Sequence, residues 1–261
     1  MRRVFLSTCY GVAVRKFPWV ILGISLVLVA VDAFGIAGTG THASALHMPT
    51  AMRSSFDLNL ASTQIGLFAS TYQAALPALI AGILIGNSEM HRKGYEYAQI
   101  AEPRRLRLAF ARILASALVG LAISSICVLL VDSGVLIFMN SRSIRLAPTL
   151  DLTTIILSNM LVVVAYALIG CAVGLAVRSR IAALTGTLLW FLVFEATIST
   201  ITPNVGRWTI GEASRTLINL DAFNIASRQL LPIGTAAVLL LTYLALGLSI
   251  ALIVNKNRDF A

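Results

Sequence analysis

The sequence predicts an all-α membrane protein with six transmembrane helices, and three observations support this prediction. Hydrophobic residues make up 58% of the 261 positions and charged residues only 12%, whereas a water-soluble domain is about half apolar and about a quarter charged. The chain also contains six apolar runs of the roughly 20 residues that a helix needs to cross a bilayer. Its basic residues gather between these runs. Little of the chain remains for a folded domain outside the membrane.

The limits of each predicted span follow from the absence of charge, because an unpaired charge at the bilayer centre costs about 2.5 to 3.5 kcal/mol. Three runs carry no charge, and the other three each carry one ionisable residue: Asp32, Arg112 or Glu195. We therefore expect a single transmembrane domain over residues 1–261, with spans at about 18–38, 66–87, 108–131, 152–177, 181–201 and 233–255.

The basic residues predict that both termini are cytoplasmic. Fourteen of the 20 Lys and Arg residues lie on the side of the termini, and six lie on the other side. Lys and Arg near span ends are retained in the cytoplasm. As an alternative, the basic start, the first apolar run and Ala43-Ser44-Ala45 resemble a cleavable signal peptide, although the apolar run is longer than such peptides usually have.

Two segments outside the spans are predicted to be helical. Residues 1–17 mix apolar and basic side chains, which is typical of an elbow helix lying in the membrane interface. A charge cluster that only sets topology is the alternative. Residues 202–232 contain two glycines and an amphipathic stretch at 212–221, which predicts short extracellular helices.

Several function classes lack their motifs. The sequence contains no GxxxxGK[ST], GxGxxG or HExxH pattern, so neither a nucleotide site nor a metalloprotease site is predicted. His42, His47 and His91 are expected in loops, without the further ligands that a metal site needs. We expect no enzymatic activity from the chain by itself.

The net charge of +9 does not predict nucleic-acid binding, because the basic residues flank spans instead of forming one face with aromatic partners. The cysteines have no paired spacing, so neither a disulfide framework nor a zinc site is expected. The three are Cys9, Cys127 and Cys171.

Glu195 is the most informative residue within a span, because an ionisable side chain in the bilayer should face a polar cavity or a partner. Trp190, Phe191 and Phe194 lie beside it in the sequence, so these four residues are predicted to line a pathway through the membrane. Asp32 in the first span is a weaker candidate. The alternatives are a hydrogen-bonded role for Glu195 within the bundle and a boundary position for Asp32.

Two pairs of glycines have the small-xxx-small spacing that lets membrane helices approach closely, within a subunit or between subunits. They are Gly82 and Gly86 in the second span, and Gly170 and Gly174 in the fourth.

The loop at 88–107 carries the most specific local pattern. The pattern begins directly after Gly86 and reads Asn-Ser-Glu-Met-His-Arg-Lys-Gly-Tyr-Glu-Tyr over residues 87–97, with Glu102-Pro103-Arg104-Arg105 further on. A Glu at the end of the second span, a basic-Gly pair and a Pro-Arg step resemble the permeases of type 2 ATP-binding cassette (ABC) exporters, the ABC-2 family. The pattern departs from that family at Tyr95-Glu96-Tyr97, where a more basic run is usual, and at Glu102.

This resemblance implies a permease subunit in the cell membrane that pairs with a second permease chain, as a homodimer or a paralogous heterodimer. A separate ATPase would carry the ATP and Mg, and this chain would hold no cofactor. The pathway would lie between the two permeases, with spans one, two and five near their contact. The implied ATPase-coupling residues are Glu89, Arg92, Lys93, Gly94, Tyr95, Glu96 and Tyr97.

Two other readings remain open. One is a membrane immunity or assembly protein that binds a peptide or lipid without pumping. The other is an intramembrane enzyme, which is disfavoured because no nucleophile and base pair is visible in the sequence.

Overall fold

The computed structural model describes residues 16–42, 57–87, 105–148, 151–218 and 231–256. Nearly all of these residues are helical, and none lies in a strand. Six of the helices are long and apolar enough to cross a membrane. The predicted all-α fold and multi-pass membrane character are therefore confirmed.

The helices are numbered in chain order. The six long ones are α1 (Lys16–His42), α2 (Ala61–Gly86), α3 (105–141), α4 (Leu152–Ala176), α5 (Arg180–Ile201) and α8 (Ile233–Lys256). Two short helices, α6 (Pro203–Gly206) and α7 (Ile210–Leu217), lie between α5 and α8. They fall within the segment that was expected to form short helices, of which 219–230 is outside the described residues.

Three of the long helices contain an irregular turn. In α2, Ser70–Ala74 form a 3₁₀ turn. In α3 and α5, π turns occur at Val128–Asp132 and Trp190–Phe194. Such interruptions often lie at functional sites in helical proteins.

Helix α3 differs from its predicted span, because it continues to Ser141, ten residues beyond the predicted end at Val131. The prediction treated Asp132 as a residue outside the membrane. Instead, Asp132 is 3% exposed and accepts a hydrogen bond of 3.1 Å from the Thr71 hydroxyl of α2. A polar partner inside the bundle removes the need for the helix to end at this charge.

Helices α2 and α4 form the centre of the bundle and run parallel to each other. The two glycine pairs pack against each other across this contact. A Cβ atom at Gly86 would lie 2.5 Å from the Cys171 carbonyl oxygen, and one at Gly174 would lie 2.5 Å from that of Ile83. Cβ atoms at Gly82 and Gly170 would likewise overlap the opposite backbone. Only glycine allows the two backbones to come this close.

Helix α3 packs antiparallel against this central pair, with polar contacts to backbone. Arg112 Nη1 donates to the Gly86 carbonyl oxygen at 3.2 Å, and Ser116 Oγ donates to that of Ala167 at 2.7 Å. The remaining long helices lie at the periphery. In the most apolar 18-residue stretch of each helix, the buried share is 72% for α2 but only 17% for α5 and 11% for α8.

We call the end of the bundle where α1 begins and α8 ends the proximal end, and the opposite end the distal end. At the proximal end Asn87, which follows α2, is fully buried. Its Nδ2 donates to the Val177 carbonyl oxygen at 2.7 Å. The end of α2 is therefore held to the end of α4, immediately before the 88–104 segment.

Candidate functional site

A cavity of about 360 Å³ lies in the distal half of the bundle, between α2, α4, α5 and α7. We call it the Glu195 cavity. Its buried wall includes Glu195, Tyr166 and Ala75, whereas Gln73 and Leu192 on its rim are exposed. The lining residues are Tyr72, Gln73, Ala75, Leu76, Tyr166, Phe191, Leu192, Glu195, Ala196, Ser199, Thr200, Gly211, Glu212 and Arg215.

The Glu195 carboxylate lies at the N-terminus of α7. Its Oε1 accepts a hydrogen bond from the Gly211 backbone N–H. Thr209 is the N-cap residue of α7 and makes no capping bond with its own side chain. Glu195 thus satisfies a backbone donor that a capping residue would otherwise serve, and its negative charge interacts favourably with the helix dipole.

Three aromatic rings line the cavity beside this acid. The hydroxyl oxygens of Tyr72 and Tyr166 are 3.4 Å apart, and their rings meet edge to face with centroids at 6.3 Å. Phe191 lies on the other side of Tyr166, with ring centroids 5.2 Å apart. The rings connect α2, α4 and α5, and the tyrosine hydroxyls give this apolar surface a polar edge.

Helix α7 adds an ion pair to the opposite wall. Arg215 Nη1 lies 3.2 Å from Glu212 Oε1, with the arginine side chain 51% exposed and the glutamate side chain 9% exposed. Arg215 is the one Lys or Arg among the described residues that line the cavity. The lining therefore combines two acids with a single base.

Asp32 of α1 lines a second cavity, of about 470 Å³, together with Gln73 of α2. Gln73 lies on the rim of the Glu195 cavity as well. The two cavities therefore meet at one residue of α2, between α1 on one side and α5 on the other.

Asp132 is a buried acid that the sequence reasoning missed. Its Oδ1 accepts the bond from Thr71, and its Oδ2 has no hydrogen-bond partner among the described residues. The apolar run Val-Leu-Ile-Phe-Met at 135–139 indicates that the helix continues past this acid, and it could have identified Asp132 as an intramembrane residue.

The 3₁₀ turn of α2 lies beside all three of the acids described above, Asp32, Asp132 and Glu195. Thr71 bonds to Asp132 of α3, Tyr72 lines the cavity of Glu195 on α5, and Gln73 lines the cavity of Asp32 on α1. Three consecutive residues therefore face three different helices. In a 3₁₀ turn successive side chains are about 120° apart, which spreads them evenly around the axis.

The remaining predicted pathway residues lie elsewhere. Trp190 and Phe194 pack against each other with ring centroids 6.1 Å apart, and they are 47% and 50% exposed. Neither lines the Glu195 cavity. Of the aromatic residues adjacent to Glu195 in the sequence, only Phe191 faces the cavity.

Some predicted residues cannot be placed. The coupling residues, from Glu89 to Tyr97, lie outside the described ranges, as do the predicted elbow at 1–15 and Cys9. Cys127 and Cys171 are buried free thiols. Among the described residues, no group of three or more His, Cys, Asp or Glu could hold a metal ion.

Comparison of the sequence with protein-family models and with curated proteins returns no match. The resemblance of the 88–107 loop to exporter permeases therefore stays a prediction.

Proposed function

We propose that this chain is the permease subunit of an ATP-driven exporter that resembles the type 2 ABC class. In this proposal both termini are cytoplasmic, residues 1–17 form an interfacial elbow and the chain resides in the cell membrane. A separate ATPase supplies the energy. The 88–107 loop and the absence of a nucleotide-binding motif in the sequence support this assignment.

The observation that carries the proposal is a polar surface that the described part of the chain leaves uncovered. The cavities of Asp32 and Glu195 meet at the exposed Gln73. We call this surface, with Leu192 and Thr200 at its other edge, the open face. Ionisable and amide side chains in a membrane face protein or water instead of lipid. A second permease chain covering the open face would shield it, and the pathway would then lie between the two chains.

The packing of α2 provides a route from the ATPase to this face. A coupling segment that begins at Ser88 follows directly after Asn87, which is bonded to the end of α4. The glycine contacts hold α2 and α4 together along the proximal half. A displacement of the coupling segment would therefore move α2 and α4 as one unit against α1 and α5, as in a shear transition between two packed arrangements.

Capture of the tagged full-length chain from its native membrane tests the proposal. We expect an ABC-type ATPase to co-purify, and we expect Glu89→Ala and Gly94→Pro to reduce the retained ATPase by about tenfold while the chain still reaches the membrane. Arg142→Ala, an exposed residue at the distal end, is the matched control and should retain the full amount.

Absence of an ATPase from the captured complex, with full membrane expression, would contradict the proposal. Capture of a peptide or lipid without an ATPase would favour a protein that binds without pumping.

A further inference from the structure

We propose that the Glu195 cavity binds a monovalent organic cation that carries an aromatic or other apolar group. The binding itself requires only this chain. That the bound cation is the exported cargo rests on the proposed function.

The charges of the lining favour a cation. Glu195 and Glu212 contribute two carboxylates, and Arg215 is the one basic side chain among the described lining residues. Arg215 is paired with Glu212, so Glu195 remains as the acid beside the aromatic rings. When all three groups are ionised the lining carries one net negative charge. A ligand with one positive charge would neutralise it, whereas an anion would increase the repulsion in a site of low dielectric constant.

The aromatic rings of the lining also favour a cation, for a second physical reason. These rings belong to Tyr72, Tyr166 and Phe191. The face of an aromatic ring attracts a cation within about 6 Å of its centre, most strongly where water is excluded. Phe191, which is partly exposed, also offers apolar surface to the body of the ligand. Several rings around a quaternary or tertiary amine are a recurring way for proteins to bind such groups without a dedicated ion pair.

The volume and the access of the cavity fit a small ligand. Its 360 Å³ falls within the range of about 300 to 1,000 Å³ that is typical of ligand pockets. Its wall at Glu195 is 5% exposed, whereas the rim residue Leu192 is 57% exposed. A ligand can therefore reach the acid from the open face with its charged group first and keep its apolar group near the rim.

Glu195 is already fixed in position without a ligand. The bond from the Gly211 backbone N–H holds the carboxylate against the start of α7. A preorganised acid loses little conformational freedom on binding, which favours affinity. It also makes Glu195→Gln a clean test, because the amide oxygen of Gln can accept the same bond from Gly211 while the charge is removed.

The test is displacement of radiolabelled benzyltrimethylammonium from the purified full-length chain in lipid nanodiscs. Neopentylbenzene, which has the same shape without the charge, and benzenesulfonate, which has the opposite charge, serve as competitors. We expect unlabelled benzyltrimethylammonium to compete at least about tenfold better than either. Equal competition by the neutral compound, or better competition by the anion, would overturn the proposal.

Matched variants locate the site. We expect Glu195→Gln to weaken cation binding by about tenfold or more, and Phe191→Leu to weaken it by about threefold or more. Asp132→Asn, which removes an intramembrane acid outside the cavity, and Phe194→Leu, which removes an exposed ring, should leave binding unchanged. Thermal melting of each nanodisc sample shows whether it is folded. Unchanged binding in both folded Glu195→Gln and folded Phe191→Leu would overturn the assignment.

This experiment is independent of the ATPase. Selective cation binding without any co-purifying ATPase would leave the site in place and contradict the export function. An ATPase complex that shows no selective binding would contradict the site alone.

Discussion

The two halves of α2 are held in the bundle in different ways. In its proximal half, Gly82 and Gly86 bring the backbone against α4 with no side chain between. In its distal half, polar side chains bond outward: Gln64 Nε2 donates to the carbonyl oxygens of Leu58 and Arg145 at 3.0 and 2.9 Å, and Thr71 donates to Asp132. Close backbone packing permits only one arrangement, whereas hydrogen bonds can be exchanged for others. If the chain is a permease as proposed, we therefore expect the proximal half to move with α4 as one unit and the distal half to be the part that rearranges.

The largest effect is expected from breaking the proximal contact. Gly82→Ala would place a methyl group against the Ala167 carbonyl oxygen and 2.8 Å from the Cys171 nitrogen. Backbone atoms on both sides cannot move without disturbing the helices, so we expect the free energy of unfolding to fall by about 3 kcal/mol. Thermal unfolding in nanodiscs measures this change.

Gly186→Ala in α5 is the control, because nothing lies within 4 Å of its added Cβ. This substitution should leave the free energy of unfolding unchanged or raise it by less than about 1 kcal/mol, because alanine favours the helical conformation more than glycine does. Equal effects of the two substitutions would show that the glycine contact is not what holds α2 to α4.

A smaller effect is expected from removing one polar bond in the distal half. Thr71→Val removes the donor to Asp132 and leaves that buried acid without its partner in the described residues. We expect destabilisation by about 1 to 2 kcal/mol. Thr242→Val in α8, whose exposed hydroxyl bonds only to its own helix at Val238, should change stability by less than about 0.5 kcal/mol.

Gly211→Ala should change the position of the Glu195 carboxylate without changing the stability of the fold. An added Cβ would lie 2.9 Å from Glu195 Oε1, and the flexible carboxylate can move away from it. We expect a melting temperature within about 2 °C of the original and cation binding reduced by about fivefold. Unchanged binding would show that the position of the carboxylate does not matter.

The smallest effect is expected at the distal start of α4, where Asp151 caps the helix. The Thr154 hydroxyl and backbone N–H donate to its carboxylate at 2.5 and 3.3 Å, and these bonds lower its pKa below the usual 3.8. The folded state therefore favours the ionised form. This stabilisation is complete above pH 3.8 and is lost as the pH falls through the lower pKa of the folded state.

Asp151→Ala should accordingly lower the melting temperature by about 2 °C at neutral pH. The difference from the original chain should shrink as the pH falls below 3.8. A difference that grows in acid would contradict the role of the carboxylate.

Five of the six long helices lie within about five residues of the predicted limits, because the stretches without charge are also the stretches apolar enough to cross a membrane. Helix α3 shows the limit of this reasoning. A charge ends a span only where no polar partner lies inside the bundle, and Thr71, the partner of Asp132, is 61 residues away in the chain. A pairing that distant depends on how the helices pack, which local composition does not encode.

The candidate site shows a similar limit. The intramembrane position of Glu195 marks it as a residue that needs a polar environment. Its partner Gly211 follows the end of α5 and the short helix α6, so the return of Gly211 to Glu195 depends on the fold of that connection. Trp190 and Phe194 were grouped with Glu195 because they are adjacent in sequence, yet neighbours on a helix point about 100° apart.

The 3₁₀ turn of α2 also gives the helix a way to rotate about its own axis. A 3₁₀ turn advances about 120° and 2.0 Å per residue, against about 100° and 1.5 Å in an α-helix. If Ser70–Ala74 wound into α-helix, the two halves of α2 would turn by about 100° relative to each other, and the helix would shorten by about 2.5 Å. Thr71, Tyr72 and Gln73 would all change neighbours together, so one local rewinding would redistribute the contacts of three acids at once.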